Sequence, residues 1–583
     1  MFHVKNHKQG YIFDPWSHLG PKRRKLLDRS WAGLFQQEIL PELPVNTLRS
    51  HYHDWNGRPT KELHSMIGLM ILQQMHDLTD EQAIEQFCFN IQWHYALNIT
   101  SPEDAASYIC GKSIWTMRDK LTTEEAYTDI FATTLKRLAE IFKADLSKQR
   151  LDSVHLQSNM RHLGRIGLFV KTIKNFLNNL KRHHRNLFDQ IDQKLIKRYL
   201  SKSTESLFAS VKPSDSTRTL DQLATDLLTL IDRFSSLSTT QNMSTLKQLV
   251  RLFKEQCVVE QEDGSLEQKA VARPNKDVPS DSLQNPSDPD AGYSSHKGKG
   301  YQAQVVESYV ETSDKEEKKK QLSLITHIAI ESADKHDANA LIPAIEDLKE
   351  RNISPKELLA DSLYGSTSNC RKAMKEHGVE VIAPLMPGRR KYFHLSQFSL
   401  DEQGRITSCP CGIAPQSTRR TKNGFSVAFL SEACLQCEKF AVCPVKNGTR
   451  ACYYRYKDKD IRMAHRRRYE ESSAFKDRYR YRAGVEATMS EFDRRTGVKH
   501  LRVRGMKAVR FAAVMKAIGL NIFRASRHKR RSNRPTVPLG GVLLTILSLF
   551  KHIKDHFLRS MRILFVAWAK WLLTDVDQQK IQI

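Results

Sequence analysis

The chain has 583 residues, room for roughly three to five domains that each bury a core, so a stapled mini-protein is excluded. Its 92 Lys and Arg against 65 Asp and Glu leave a formal net charge of +27, an excess that calls for a polyanionic partner, nucleic acid first. Six of the ten cysteines fall between Cys409 and Cys452, which is the pattern of a local site and not of a disulfide framework.

The opening MFHVKNHKQGYIF has no apolar leader run, so a cytoplasmic chain is expected. The most apolar stretch, 535–550, ends at Lys551 after 16 uncharged residues. That is short of the roughly 20 a membrane span needs, and no membrane partner is expected. Residues 1–145 read as a helical N-terminal domain, since Leu63, Ile67, Met70, Ile71 and Met75 recur three and four apart and LTDEQ reads as a capped restart; at the start of a basic chain it is expected to bind DNA, with a plain helical bundle as the alternative.

A short strand follows at 150–156, with Asp152, Val154 and Leu156 on one face. Two apolar stripes, Leu163 to Ile191 and Leu220 to Leu237, predict a helical hairpin inserted at 161–260, with packing or self-association as its role. Within the Pro-, Ser-, Asp- and Gly-rich segment 260–300, residues 261–289 read as a linker. Strands are then expected at 301–310, 322–332, 356–361 and 379–385, and helices at 337–351 and 367–378. This is a mixed α/β sheet at 290–525 whose first strand is the isolated one at 146–160. Residues 479–495 read as a helix, and 526–583 as a basic linker with an amphipathic packing or dimer helix at 542–573.

Three acids stand where such a sheet presents them: Asp152 on a strand, Asp361 closing a strand before a turn, and Glu486 on the 479–495 helix. Carboxylates so placed can converge on two divalent cations for phosphoryl transfer, and Mg²⁺ suits them because it keeps water and substrate phosphate in its shell. Between Arg450 and Arg534 lie 26 Lys and Arg against 8 Asp and Glu, interleaved with six tyrosines. Guanidinium groups grip phosphates, and aromatic faces stack on unpaired bases. Within 405–455, Cys409, Cys411, Cys434 and Cys437 have the spacing of a structural Zn²⁺ site, with Cys443 and Cys452 to spare; metal-free thiols and a redox role are the alternatives. No Walker-A loop, HExxH or GxSxG is present, so nucleotide hydrolysis, zinc proteolysis and serine esterase chemistry have no support.

DSVHLQSN at 152–159, LLADSLYGS at 358–366 and the block YRYRAGVEATMSEFDRR at 479–495 together resemble the DDE transposases of bacterial insertion sequences. GRPTKELHSMIGLMILQQMHDLTDEQ and DPDAGYSSHKGKGYQAQV extend the resemblance over most of residues 40–525. Many such transposases carry Tyr, two residues, Arg, three residues, Glu, six residues, Lys. Tyr479, Arg482 and Glu486 keep that spacing, and Asp493 stands where the Lys would be, leaving Arg494 as the nearest basic substitute and Arg495 the next.

The resemblance implies a ribonuclease-H-like catalytic domain in which Asp152, Asp361 and Glu486 hold Mg²⁺ or Mn²⁺. It also implies cut-and-paste transfer of double-stranded DNA ends with terminal inverted repeats into target DNA, by a homodimer acting at the nucleoid. Tyr479, Arg482, Arg494 and Arg495 would handle the DNA end. A catalytically inactive DNA-binding descendant and a metal-dependent nuclease without strand transfer are the alternatives.

Overall fold

The computed structural model describes residues 1–532 apart from 55, 58, 59, 202, 262–267 and 387–391, with a few further positions between 554 and 568. Residues Met1–His528 form one unit and Lys529–Ile583 another. The expected helix at 542–573 lies outside the described residues except for scattered helical positions from Lys554 to Trp568.

The N-terminal segment is helical, as its periodicity predicts. Helix α1 (Leu63–Met75) buries every residue but Gln74, so it is a central helix and not an amphipathic surface one. Strand β1 (Lys148–Gln157) leads into the insertion, which contains α2 (Arg165–His183), α3 (Ser216–Phe234) and α4 (Ser244–Gln256) around a core of their own. The expected two-helix hairpin is thus corrected. Leu246, Leu249 and Leu252 give α4 a third apolar stripe, which closes the face that two helices would leave wet.

The expected linker also turns out to be structured where it is described. Cys257–Gln261 and Gln268–Ala272 pair as an antiparallel hairpin. Fully buried Asp288 accepts hydrogen bonds from Tyr301 Oη (2.5 Å), Gly505 N (3.1 Å) and Ser158 Oγ. Composition misses this because the segment is held by polar anchors and not by an apolar stripe.

The remaining elements are β2 (Gly292–Ser294), β3 (Gly298–Ser308), β4 (Ile325–Ser332), α5 (Leu341–Glu350), β5 (Glu357–Leu359), α6 (Thr367–His377), β6 (Glu380–Ile382), α7 (Ser473–Tyr479), α8 (Gly484–Thr496) and α9 (Met506–Ser532). The sheet order is β2-β3-β1-β5-β6, with β4 also on β3. Pairs β1/β3, β2/β3 and β3/β4 are antiparallel, and β1/β5 and β5/β6 are parallel. This mixed α/β sheet is compatible with a ribonuclease-H-like arrangement.

Helices α5 and α6 cover one face through Leu151 and Val306. The N-terminal helices, α8 and α9 cover the other, around Val154, Leu156, Ala303 and Val305. The N-terminal helices therefore share a core with the sheet and do not stand apart as a separate domain. Gly519 permits the close contact, since a Cβ there would lie 2.7 Å from Met75 Cβ. Helix α9 also continues through the start of the expected linker at 526.

Candidate active site

Strand pairing places the first two acids together. β1 and β5 run parallel with Lys148 opposite Glu357 and Arg150 opposite Leu359. The pairing ends there, two residues before Asp152 on β1 and two before Asp361 past the end of β5, and the two acids are close enough for the Asp361 charge to act on Asp152. Because strand side chains alternate, Asp152 shares its face with Arg150, toward α8. Asp361 turns the chain at the strand end, its Oδ1 accepting the Leu363 N–H at 2.8 Å.

Burial pushes the Asp152 carboxyl above its ordinary pKa; Arg482 and the Ser153 N–H oppose the shift, and the nearby Asp361 charge adds to it. A carboxylate in this setting is short of positive charge. Arg482 supplies part of it, its Nη2 donating to Asp152 Oδ2 at 2.9 Å while Nη1 lies 3.7 Å from Glu486 Oε1. The Glu486 side chain is 75% exposed. Asp152 and Glu486 thus share one guanidinium, and the Asp361 charge acts on Asp152. They are spread wider than one ion's shell: among the described residues, only His7, Glu62 and His64 bring three potential ligand atoms within 4.8 Å of one another.

The expected continuous helix at 479–495 is corrected: a 3₁₀ turn, Arg480–Ala483, separates α7 from α8. The cause lies beneath it. Arg150 Nη1 donates to the Tyr481 carbonyl at 2.6 Å, and Gly484 packs on the same guanidinium so tightly that a Cβ would lie 2.2 Å from Nη1. Arg150 is in turn held by Glu307, fully buried, which accepts from Arg150 Nε (2.6 Å), Arg524 Nη1 (2.9 Å) and Thr488 Oγ1 (2.7 Å). The side chains under the turn therefore aim Arg482 back at Asp152.

Tyr479 stacks on Phe475 with ring centroids 5.3 Å apart. Burial raises its pKa; Arg482 opposes this, and Asp361 and Asp152 add to it. Arg494 is exposed. Arg495 is occupied, with Nε 3.2 Å from Glu491 Oε1 and its guanidinium over the Phe523 ring. Asp493 Oδ1 accepts the Lys499 N–H at 3.1 Å and braces the turn that ends α8.

On the opposite face of β1, Tyr364 Oη donates to Gln304 (2.5 Å), Gln304 Nε2 to buried Asp337 (3.0 Å), and Lys297 Nζ to Ser153 Oγ (3.0 Å). Sequence reasoning singled out none of these groups, nor Arg150 and Glu307. Tyr364, Gln304 and Lys297 do lie inside the motifs that carry the family resemblance, which was the available signal.

The His7, Glu62, His64 group belongs to the N-terminal helices. Glu62 caps α1 by accepting the N–H groups of His64 (3.1 Å) and Ser65 (2.7 Å). Burial opposes its charge, but hydrogen bonds from His64, His7 and Ser65 prevail and hold it well below the usual carboxylate range. Its oxygens are already saturated, so a structural cap accounts for it.

Among the cysteines, Cys409, Cys411, Cys434, Cys437 and Cys443 line one small apolar cavity with Phe429 and Phe440, beside an antiparallel sheet of four short strands between Ser417 and Lys457. Cys411 Sγ and Cys437 Sγ are 3.4 Å apart, near the roughly 3.8 Å that two thiolates keep on a tetrahedral zinc. Burial, with the neighbouring thiols, pushes Cys434 up to about 12. All ten cysteines are free thiols. Cys443 lines the same cavity as the four expected ligands, and among the described residues no three of these thiols come within 4.8 Å of one another.

Residues 35–120 match the family described as transposase domain DUF772, and residues 408–525 match the transposase DDE domain. The second match spans the cysteine-rich sheet, Arg482 and Glu486. No curated protein matches the chain.

Proposed function

The chain is an insertion-sequence DDE transposase by these two domain matches, and from that premise we propose that it cleaves DNA at the ends of its element and joins them to target DNA at the site formed by Asp152, Asp361 and Glu486. The observation that carries this reading is the Arg482 guanidinium, which donates to Asp152 and lies 3.7 Å from Glu486, with the Asp361 charge acting on the Asp152 carboxyl. A buried carboxylate short of positive charge near Asp361 and an exposed third carboxylate fits divalent cations, Mg²⁺ or Mn²⁺. Bound by Asp152, Asp361 and Glu486, they would activate water or a 3′-hydroxyl and stabilise the leaving oxygen at phosphorus.

The chain's own groups supply the rest. Arg482 neutralises Asp152 before DNA arrives, and its guanidinium suits the phosphate beside the cleaved bond. Exposed Arg494 extends the grip along the DNA end, whereas Arg495 is committed to Glu491 and Phe523. The basic surface of 450–534 holds double-stranded DNA with terminal inverted repeats, and a homodimer pairs two such ends. A structural Zn²⁺ held by Cys409, Cys411, Cys434 and Cys437 stiffens the sheet before α7. No helix among the described residues is long and apolar enough to cross a membrane, and the acting pool is placed at the cytoplasmic nucleoid.

The test uses duplexes carrying the inverted repeats that flank the coding sequence, with Mg²⁺ present. Asp361→Asn is expected to abolish nicking and joining while DNA binding persists, because a ligand is lost and the basic face is kept. Cleavage by wild type without joining would favour the nuclease. DNA binding with no cleavage in Mg²⁺ or Mn²⁺ would favour an inactive descendant.

A further inference from the structure

The backbone ladder stops short of the acids. β1 and β5 pair only from Lys148 opposite Glu357 to Arg150 opposite Leu359, and the next amide, Ala360 N, turns to the Ile382 carbonyl of β6 at 3.1 Å. The β1/β5 ladder thus ends before either Asp152 or Asp361 is reached.

A chain of side chains continues across that gap on the other face of β1. Ser153, next to Asp152, stands directly opposite Gln304 of β3. Ser153 Oγ donates to Asp337 Oδ2 at 3.2 Å, Gln304 Nε2 donates to Asp337 Oδ1 at 3.0 Å, and Gln304 Oε1 accepts from Tyr364 Oη at 2.5 Å. Tyr364 belongs to the turn that Asp361 opens. Asn369 fastens that turn to the segment of Asp337, its Nδ2 donating to the Ala338 carbonyl at 2.8 Å and to the Tyr364 carbonyl at 3.3 Å.

Gln304 and Tyr364 are fully buried and Asp337 nearly so. Lys297 Nζ, 3.0 Å from Ser153 Oγ and 3.9 Å from Asp337 Oδ2, meets the charge of Asp337. Such a chain holds its members in one arrangement, because breaking a link strands a polar group away from water. Burial raises the Tyr364 pKa, the charges of Asp337, Asp152 and Asp361 add to the shift, and Ser153 opposes it. The hydroxyl therefore keeps its proton as a donor, and it lies within the field of both acids.

We propose that Ser153, Asp337, Gln304 and Tyr364 are positioning residues that fix the spacing of Asp152 and Asp361 for divalent cations, the task that the β1/β5 ladder leaves undone. The proposal rests on the reading of those two acids as metal ligands. Two cations that share one phosphate stand about 3.5–4 Å apart, so the carboxylates that hold them tolerate little drift. The four residues act through Asp152 and Asp361 and not on the DNA.

The experiment cuts the chain at either end, with Tyr364→Phe in the Asp361 turn and Ser153→Ala beside Asp152, singly and together. Tyr199→Phe is the control: it removes an equally buried hydroxyl, which donates to Asp226 at 2.7 Å within the insertion's own core. Melting is measured in EDTA and then against Mn²⁺ without DNA, and single-turnover cleavage of end duplexes is measured against Mn²⁺. Each single variant should need roughly tenfold more Mn²⁺ for half of the melting rise and cleave about 10- to 100-fold more slowly. Duplex binding in EDTA should stay at the wild-type level, and the control should keep the wild-type Mn²⁺ response. Because the links form one chain, the double variant should lose no more than the worse single variant.

Single variants with the wild-type Mn²⁺ response and cleavage rate overturn the proposal, and so do losses that multiply in the double variant. Either result leaves the catalytic reading standing where Asp361→Asn abolishes cleavage. Ser153→Ala, the milder cut, decides the matter by the same readouts if Tyr364→Phe does not fold. If Mn²⁺ stabilises a wild type that cleaves nothing, and the single variants weaken that stabilisation, the positioning stands and the catalytic reading falls. A wild type that neither cleaves nor responds to Mn²⁺ overturns both.

Discussion

Glu307 is the buried acid on which the turn at Arg480–Ala483 depends. It balances Arg150 and Arg524, and Arg150 in turn holds the Tyr481 carbonyl next to Arg482. Glu307→Gln keeps the shape and removes the charge. Arg524 retains Glu491 at 2.9 Å, so the loss falls mainly on Arg150, whose side chain is only 9% exposed. Breaking a buried pair from one side costs about 3–5 kcal/mol. With an unfolding entropy near 2.1 cal/mol/K per residue over the 528-residue unit, the melting temperature should fall by roughly 3–5 °C. End cleavage should slow by up to about 100-fold, because Arg482 is no longer aimed at Asp152. Thermal melting and single-turnover cleavage of end duplexes measure the two effects. Glu491→Gln serves as comparison: it removes a partner of Arg524 and Arg527 away from Tyr481, so it should lower melting and spare cleavage. A Glu307→Gln protein that melts within about 1 °C of wild type and cleaves at the wild-type rate would refute the reasoning.

Asp152→Asn tests the cost of the ionised acid. A carboxyl whose pKa is raised in the fold stabilises below its unfolded pKa, near 3.9, and loses that contribution as pH rises through the folded value. In EDTA the variant should therefore melt above wild type at pH 7, with the gap closing toward pH 4 and reversing when Mg²⁺ is added at pH 7; a lower melting point at pH 7 in EDTA would contradict the burial argument. For the cysteines, protein purified under reducing conditions should carry about one zinc, and Cys437→Ser should lose it. Less than a tenth of an equivalent of zinc in a folded wild-type protein would leave the cavity as packed thiols.

Much of the molecule is legible locally. The apolar steps in α1, the strands around β3 and β4, the cysteine cluster and the spacing of Tyr479, Arg482 and Glu486 are all short-range patterns, and the two domain matches agree with the family those motifs point to. What the sequence could not supply is pairing between distant segments. Nothing near residue 152 specifies the segment that ends at residue 361; the parallel pairing of β1 with β5 brings the two segments side by side, and shifting its register by one would turn Asp152 to the other face. Likewise the 479–495 helix pattern holds no trace of Arg150, whose guanidinium seizes the Tyr481 carbonyl and bends the segment into a 3₁₀ turn. The segment at 260–300 looks like a linker because its anchor is a single buried Asp288 with polar partners, which composition scores as solvent-loving. Local periodicity decides which residues want to be buried or helical. Only the closed tertiary structure decides which buried charges meet, because an ion pair such as Arg150 with Glu307 is favourable only after the surrounding core has removed the water.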